Sequence, residues 1–239
     1  MENTNSINLA AIAKMIDQTN IREMATAGDI ERTCHEAREH NFRGVCVNPA
    51  WVKLVKKELL GTDIKVICLI DPPIGDSPQI ERLGLCLKAK NEGADELDVV
   101  MSLIDIKHER WEKILDEFTK IGKILPTKVI IGSGYLTDEE IRKASEIAKT
   151  AGAICVKTAT SKDPLENREL GEKAQHLKMM KEAAPGLLIK ASGNIRTLSD
   201  LIKMVDAGAD IVGTSSGVEI MEEVKNKLKE NSINPSPSI

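Results

Sequence analysis

Five polar features break into stretches that are otherwise apolar: Asp17, Asp98, Lys157, Lys190 and the turn Gly213-Thr214-Ser215-Ser216-Gly217. Side chains of an extended segment alternate between two faces. Ile154, Val156 and Thr158 therefore share one face and Cys155, Lys157 and Ala159 the other. By the same rule Leu97, Val99 and Met101 leave Asp98, Val100 and Ser102 opposite them. If the apolar faces pack outward, Lys157 and Asp98 point into one interior, with Lys190 on the strand next to Lys157.

Two lysines converging beside a carboxylate have a chemical use. An amine attacks a carbonyl only when neutral, and at an ordinary pKa about one lysine in 2,500 is neutral at pH 7. A neighbouring ammonium and partial desolvation both disfavour the charged form. Asp98 could carry protons to and from hydroxyl oxygens, and Asp17 could position Lys190 or that relay. The spacing alone leaves plainer readings open: a solvated strand-end lysine, or a buried Asp98–Lys190 ion pair.

A second feature is a pair of small-residue turns. Ser192-Gly193-Asn194-Ile195-Arg196 follows the Lys190 strand, and Gly213 to Gly217 follows the last one. Backbone N–H groups at such turns converge on anions, and barrels often bind phosphate after strands seven and eight. Lys162 and Arg196 could add positive charge. Glycine-rich turns also serve simply as tight connections.

The elements that must position these groups are legible as alternation. Short β-branched runs are expected at Met15 to Thr19, Val45 to Asn48, Ile64 to Ile70, Glu96 to Met101, Lys128 to Ile131, Ile154 to Thr158, Leu187 to Ala191 and Ile211 to Thr214. Between them lie segments of helical period, such as Glu139 to Thr150 with Ile141, Ala144, Ile147 and Ala148 on one face. Thr137 with Glu140 has capping-box spacing, and Thr26 with Asp29 and Thr197 with Asp200 resemble it. Gly93-Ala94, Gly152-Ala153 and Gly208-Ala209 each close a helical pattern before a strand. Alternating β and α elements imply parallel strands and crossover helices. Eight units in 239 residues fit one closed (β/α)8 barrel, an α/β fold, with a short N-terminal helical extension. The expected barrel spans residues 1–229, and residues 230–239, with Asn, Ser and two prolines, read as a loose tail.

Composition closes off other classes. The net charge is -4, so no global basic field recruits nucleic acid or an anionic membrane, and aromatics at 2% cannot build stacking platforms. No run approaches a membrane span. The five cysteines are odd in number and lack metal-like spacing, so they read as small buried hydrophobes in a reducing, cytoplasmic setting.

The same residues carry a family resemblance. Val156-Lys157-Thr158-Ala159-Thr160, Ile189-Lys190-Ala191-Ser192-Gly193-Asn194-Ile195-Arg196 and Gly213 to Gly217 resemble signature segments of the deoxyribose-phosphate aldolase family. So do Cys46-Val47-Asn48-Pro49, Gly93-Ala94-Asp95-Glu96-Leu97-Asp98-Val99-Val100 and Leu136-Thr137-Asp138-Glu139-Glu140, in order from about Ile16 to Glu219. The resemblance implies reversible cleavage of 2-deoxy-D-ribose 5-phosphate to acetaldehyde and D-glyceraldehyde 3-phosphate, without metal or organic cofactor. On it Lys157 matches the Schiff-base lysine, Lys190 the lysine that lowers its pKa, Asp98 the proton relay, and Asp17 and Thr19 polar residues beside the relay. Thr160 belongs to the Schiff-base segment, on the substrate side. Gly193, Arg196, Gly213, Ser215 and Ser216 match the phosphate region, and Lys162 a phosphate-side lysine of some members. A homo-oligomer, dimer or larger, is also implied.

The departures are specific. Gln18 stands where His or Leu is common, Asp71-Pro72-Pro73 replaces a Gly-Phe-Pro-type turn, and Gly132-Ser133-Gly134 replaces a Glu-Thr. Ser161 and Asn194 replace glycines, and Ser102 an asparagine. Asp71 is expected near the substrate mouth, where it and Asn194 would alter recognition. The alternatives are thus a Schiff-base aldolase for another phosphorylated aldol, or a barrel that binds a phosphometabolite without catalysis.

Overall fold

The computed structural model describes residues 8–160 and 170–233. Its strands are β1 (Ile16–Asn20), β2 (Gly44–Val47), β3 (Lys65–Ile70), β4 (Glu96–Val100), β5 (Thr127–Ile130), β6 (Cys155–Lys157), β7 (Leu188–Ser192) and β8 (Ile211–Thr214). All are parallel and close in sequence order into a barrel, β1 pairing with β8. The helices are α1 (Leu9–Ala13), α2 (Ala27–His40), α3 (Val52–Glu58), α4 (Gln79–Asn91), α5 (Leu103–Lys107), α6 (Trp111–Gly122), α7 (Asp138–Thr150), α8 (Leu170–Ala183), α9 (Leu198–Asp206) and α10 (Gly217–Ile233). This is the (β/α)8 barrel expected from the alternation, with α1 as the N-terminal extension.

Local chemistry explains the boundaries. Thr26, Thr137 and Thr197 each accept from the backbone three residues on, while Asp29, Glu140 and Asp200 bond back, completing three capping boxes. The backbone turns left-handed at Gly93, Gly152 and Gly208, with φ of 101°, 82° and 105°, as each helix hands over to a strand. β6 is shorter than expected, yet pairing continues past both ends: Ile154 N donates to Thr127 O and Thr158 N to Lys190 O. α10 runs through residue 230, the expected start of the tail, as far as Ile233.

Two cores follow from the strand alternation. Outward residues such as Val45, Val99, Val129, Val156 and Ile189 pack against helix faces, for example Ile114, Phe118 and Ile121 of α6. Each such side chain, fully buried, contributes roughly 1.5–3 kcal/mol. Inside the barrel Cys46, Ile67, Leu69, Val100 and Ile130 fill the side formed by β2 to β5. The remaining interior is ionic. All five cysteines are free and buried, and burial pushes Cys46 up to about 11 and Cys34, Cys86 and Cys155 to about 12. No helix among the described residues is long and apolar enough to cross a membrane.

Candidate active site

The ionic half of the interior is built by register. Lys157 lies beside Lys190 in the β6–β7 ladder, and Asp98 beside Lys128 in the β4–β5 ladder. Side chains at these positions point inward, and their lengths carry them to one centre. Lys157 Nζ donates to Asp98 Oδ2 at 2.8 Å, and Lys190 Nζ donates to the same oxygen at 2.9 Å. Lys190 Nζ also donates to Asp17 Oδ2 at 2.6 Å, and Lys128 Nζ donates to Asp98 Oδ1 at 2.8 Å. Beneath them, Glu96 joins Lys128 at 2.6 Å to Arg43 at 2.8 Å, and Arg43 returns to Asp17 Oδ1 at 2.9 Å.

Burial sets the electrostatics. Burial opposes ionisation of Asp98, but Lys128, Lys157 and Lys190 outweigh it and hold the carboxyl well below its ordinary value. Asp17 is likewise lowered, burial being overcome by Lys190, Lys128 and Arg43. For Lys190 burial pulls down, yet Asp17 and Asp98 win and keep the ammonium charged far into alkali. Lys128 is raised in the same way, chiefly by Asp98. Asp98, Asp17, Lys190 and Lys128 thus form a fixed lattice of full charges. A lone ion at this depth would cost several kcal/mol; mutual pairing is what makes the lattice tolerable.

Above it opens a cavity of about 490 Å³. Lys157 lines its base, together with Gln18, Thr19, Ala159, Thr160 and Ser192. Gly193, Asn194, Ile195, Arg196, Gly213 and Ser215 form one wall, and Arg22, Arg32 and Glu36 lie toward the β1–α2 side. Lys190, Asp98 and Asp17 lie beneath the cavity rather than in its lining. Ser216 is outside the lining, and its N–H is taken by Thr214 Oγ1 at 2.9 Å. Lys162 lies outside the described residues. Thr19 Oγ1 donates to Asp17 O at 3.0 Å, while the buried hydroxyls of Thr160 and Ser192 have no partner among the described residues. Among those residues no His, Cys, Asp and Glu group could hold a metal ion.

Comparison with known proteins agrees with this geometry. The model of the DeoC/LacD family aldolases matches residues 11–223. The chain belongs to the DeoC/LacD aldolase family. It is 39% identical over 223 residues to the deoxyribose-phosphate aldolase of Thermotoga maritima, covering 91% of this chain and 87% of the relative. The Carboxydothermus hydrogenoformans deoxyribose-phosphate aldolase is 41% identical over 227 residues, covering 88% and 94%. Among solved structures, the tetrameric deoxyribose phosphate aldolase of Aeropyrum pernix superposes with a TM-score of 0.82 at 28% identity, covering 92% and 93%. The aldolase QR15 does so with 0.83 at 34%, covering 93% and 98%. Membership makes the chain a carbon–carbon lyase.

Within the DeoC/LacD frame the departures acquire physical readings. Asp71, expected at the substrate mouth, is turned away from it. Its carboxylate accepts from Ser77 Oγ at 2.6 Å and Ser77 N at 3.1 Å and lies 3.3 Å from Arg82 Nε. Arg82, itself buried, also binds Glu117 Oε2 at 3.0 Å and the carbonyls of Gly75 and Val100. The replaced turn is therefore anchored inward under α4 and adds no carboxylate to the cavity. Asn194 keeps the left-handed backbone that its glycine counterpart would adopt, with φ of 57°, a region asparagine tolerates better than most residues. Gln18 ties β1 to two helices: its Nε2 donates to Glu36 Oε2 at 2.9 Å, and its Oε1 accepts from Gly217 N at 3.1 Å.

Three members of this buried lattice escaped sequence reasoning: Lys128, Glu96 and Arg43. Lys128 opens its strand, where a lysine reads as a solvated end. Parity was the available signal, because Val129 and Ile131 facing outward put Lys128 inward with Ile130. Glu96 shares the inward parity of Asp98. Arg43 precedes β2, and nothing local marks its side chain as reaching beneath the barrel.

Proposed function

We propose that this aldolase reversibly cleaves 2-deoxy-D-ribose 5-phosphate to acetaldehyde and D-glyceraldehyde 3-phosphate through a Schiff base on Lys157. The observation that carries the reading is the division of labour among three lysines. Lys128 and Lys190 are fully buried and clamped by carboxylates, whereas Lys157 alone among them lines the cavity. It is the amine that a carbonyl carbon can reach.

In this mechanism the neutral Lys157 amine adds to the C1 aldehyde of the open-chain sugar. The carbinolamine loses water, its hydroxyl taking a proton from the Lys190 side of the lattice, and an iminium forms. Asp98 then accepts the C3 hydroxyl proton as the C2–C3 bond breaks. The bonding electrons pass into the C2 enamine, and the three-carbon phosphate departs as the aldehyde. Protonation of C2 and hydrolysis return Lys157 and release acetaldehyde. Lys190, held charged by Asp17, cannot compete as nucleophile and keeps a proton available. Hydroxyls of Thr160 and Ser192 face the sugar, and Gly193, Asn194, Arg196, Gly213 and Ser215 receive the phosphate, with Lys162 and Ser216 assigned there by family resemblance alone.

Two departures bear on the choice of substrate, and Asn194 is the one that lines the cavity. Asp71 is spent on Ser77 and Arg82, and Asn194 preserves its glycine-like backbone. The reading also carries the cytoplasmic setting and a homo-oligomeric assembly.

The test is cleavage of 2-deoxyribose 5-phosphate by the native protein and by Lys157→Ala. Loss of about 10⁴-fold or more in kcat, with the fold intact, is expected for the variant. Borohydride reduction in the presence of acetaldehyde should add a covalent mass at Lys157 and nowhere else. Full activity in Lys157→Ala would refute the mechanism, and turnover of only a different phosphorylated aldol would refute the substrate.

A further inference from the structure

A buried lysine also stands behind the turn that follows β7. Lys173, on α8, is 1% exposed, and its ammonium donates to Ser192 O at 2.7 Å and to Gly193 O at 2.5 Å. Both carbonyls belong to the turn between β7 and α9. A trans peptide is planar, with its C=O and the following N–H pointing in opposite directions. Both peptide units here are trans, since the one cis bond among the described residues is Pro72-Pro73. Drawing the carbonyls of Ser192 and Gly193 onto Lys173 therefore turns the N–H groups of Gly193 and Asn194 the other way. Lys173 is packed behind the turn, and Gly193 and Asn194 line the cavity in front of it.

The turn's backbone suits this. Gly193 and Asn194 have φ of 92° and 57°, and neither amide finds an acceptor among the described residues. Successive unpaired N–H groups in a turn form an anion-binding concavity. The β8–α10 turn differs. There Thr214 Oγ1 already holds Ser216 N and Gln18 Oε1 already holds Gly217 N. Two donors of that second turn are committed to the protein, whereas both amides of the turn that Lys173 supports are open among the described residues.

We propose that Lys173 is a positioning residue for phosphate recognition. It aims the Gly193 and Asn194 amides at the phosphate of the substrate by holding the two carbonyls behind them. The inference rests on the phosphorylated substrate named above, but its test does not depend on that substrate alone.

The experiment compares the native protein with Lys173→Met, which matches the stem but carries no donor. Three quantities are read: kinetics on 2-deoxyribose 5-phosphate, kinetics on unphosphorylated 2-deoxyribose, and binding of inorganic phosphate by calorimetry. The expected result is a KM for the phosphorylated sugar raised about tenfold or more, roughly one charge-assisted hydrogen bond, with kcat within about threefold. kcat/KM on 2-deoxyribose should stay unchanged, and phosphate affinity should fall by the same factor as KM rises. Lys173→Arg, which keeps charge and donors, should restore most of the affinity. Equal losses on both sugars, unchanged phosphate affinity in Lys173→Met, or no phosphate binding by the native protein would each overturn the proposal. If the native protein binds phosphate but leaves 2-deoxyribose 5-phosphate uncleaved, the substrate reading fails, and the phosphate affinities still decide the role of Lys173. Should Lys173→Met not fold, Lys173→Gln is read by the same criteria.

Discussion

The barrel holds two buried ion clusters that obey the same electrostatics and serve opposite ends. Around Asp98 three lysines meet one carboxylate, and Asp17, Glu96 and Arg43 extend the lattice. Around Arg82 the ratio is inverted, with Asp71 and Glu117 sharing one guanidinium. The outcome differs accordingly. Asp98 is held well below its ordinary value, whereas burial pushes Glu117 up, and Arg82 and Lys113 do not bring it back. The first centre lies under a cavity that Lys157 lines. The second is closed over by α4 and α6 and meets no cavity-lining residue. Burial is common to both clusters; access from a cavity belongs to the first alone.

The sharpest way to break this comparison is Asp98→Asn, which leaves three lysines around a neutral amide. Aldol cleavage should fall by about 10²–10⁴-fold in kcat, the range for a positioned proton-transfer group, and steady-state kinetics would detect it. Arg82→Met should do the reverse. It strands Asp71 and Glu117 and should cost about 3–5 kcal/mol in denaturant unfolding, with kcat per folded molecule unchanged. A matching kcat loss would mean that the two clusters are coupled.

The pH dependence separates them next. Asp17 and Asp98 have folded pKa values below their ordinary 3.8, so their stabilisation is complete above that value and disappears only as pH falls through the folded ones. Lys128 and Lys190 are raised above 10.5, so theirs is complete below that value and lost only as pH rises through the folded ones. The lattice therefore adds no slope in between. Glu117, raised above 4.5, binds its proton more tightly when folded, so acidification from neutrality should raise stability modestly. Melting curves should show that slope in the native protein and lose it in Glu117→Gln. The smallest effect belongs to Asn194. Asn194→Gly should leave stability within about 0.5 kcal/mol, while Asn194→Ala, forced into the left-handed region, should cost about 1 kcal/mol.

Alternation and caps made the barrel legible, because each unit carries its own punctuation: threonine with an acid three residues on, glycine before the next strand. Lys157, Lys190 and Asp98 were legible because a charge on an inward parity has no innocent place to go. Lys128 obeys the same parity but stands at a strand start, where the N-terminal end of a barrel strand ordinarily opens to solvent. Arg43 and Lys173 were not legible at all. One reaches under the barrel from a loop, the other grips two carbonyls, and neither backbone carbonyls nor side-chain reach leave a mark in the residue pattern. Asp71 was misdirected for a related reason: its partner Arg82 lies a full loop away and sits on a helix that reads as ordinary.

The five buried thiols have a consequence for chemical durability. An enzyme of the proposed kind releases a small aldehyde into its own cavity, an electrophile that modifies exposed thiolates. With Cys46 held at about 11, fewer than about one molecule in 10⁴ carries that thiolate at pH 7, and the other four are at least as high. Repeated turnover at high aldehyde should therefore leave its cysteines unmodified, which mass spectrometry of the spent protein would check.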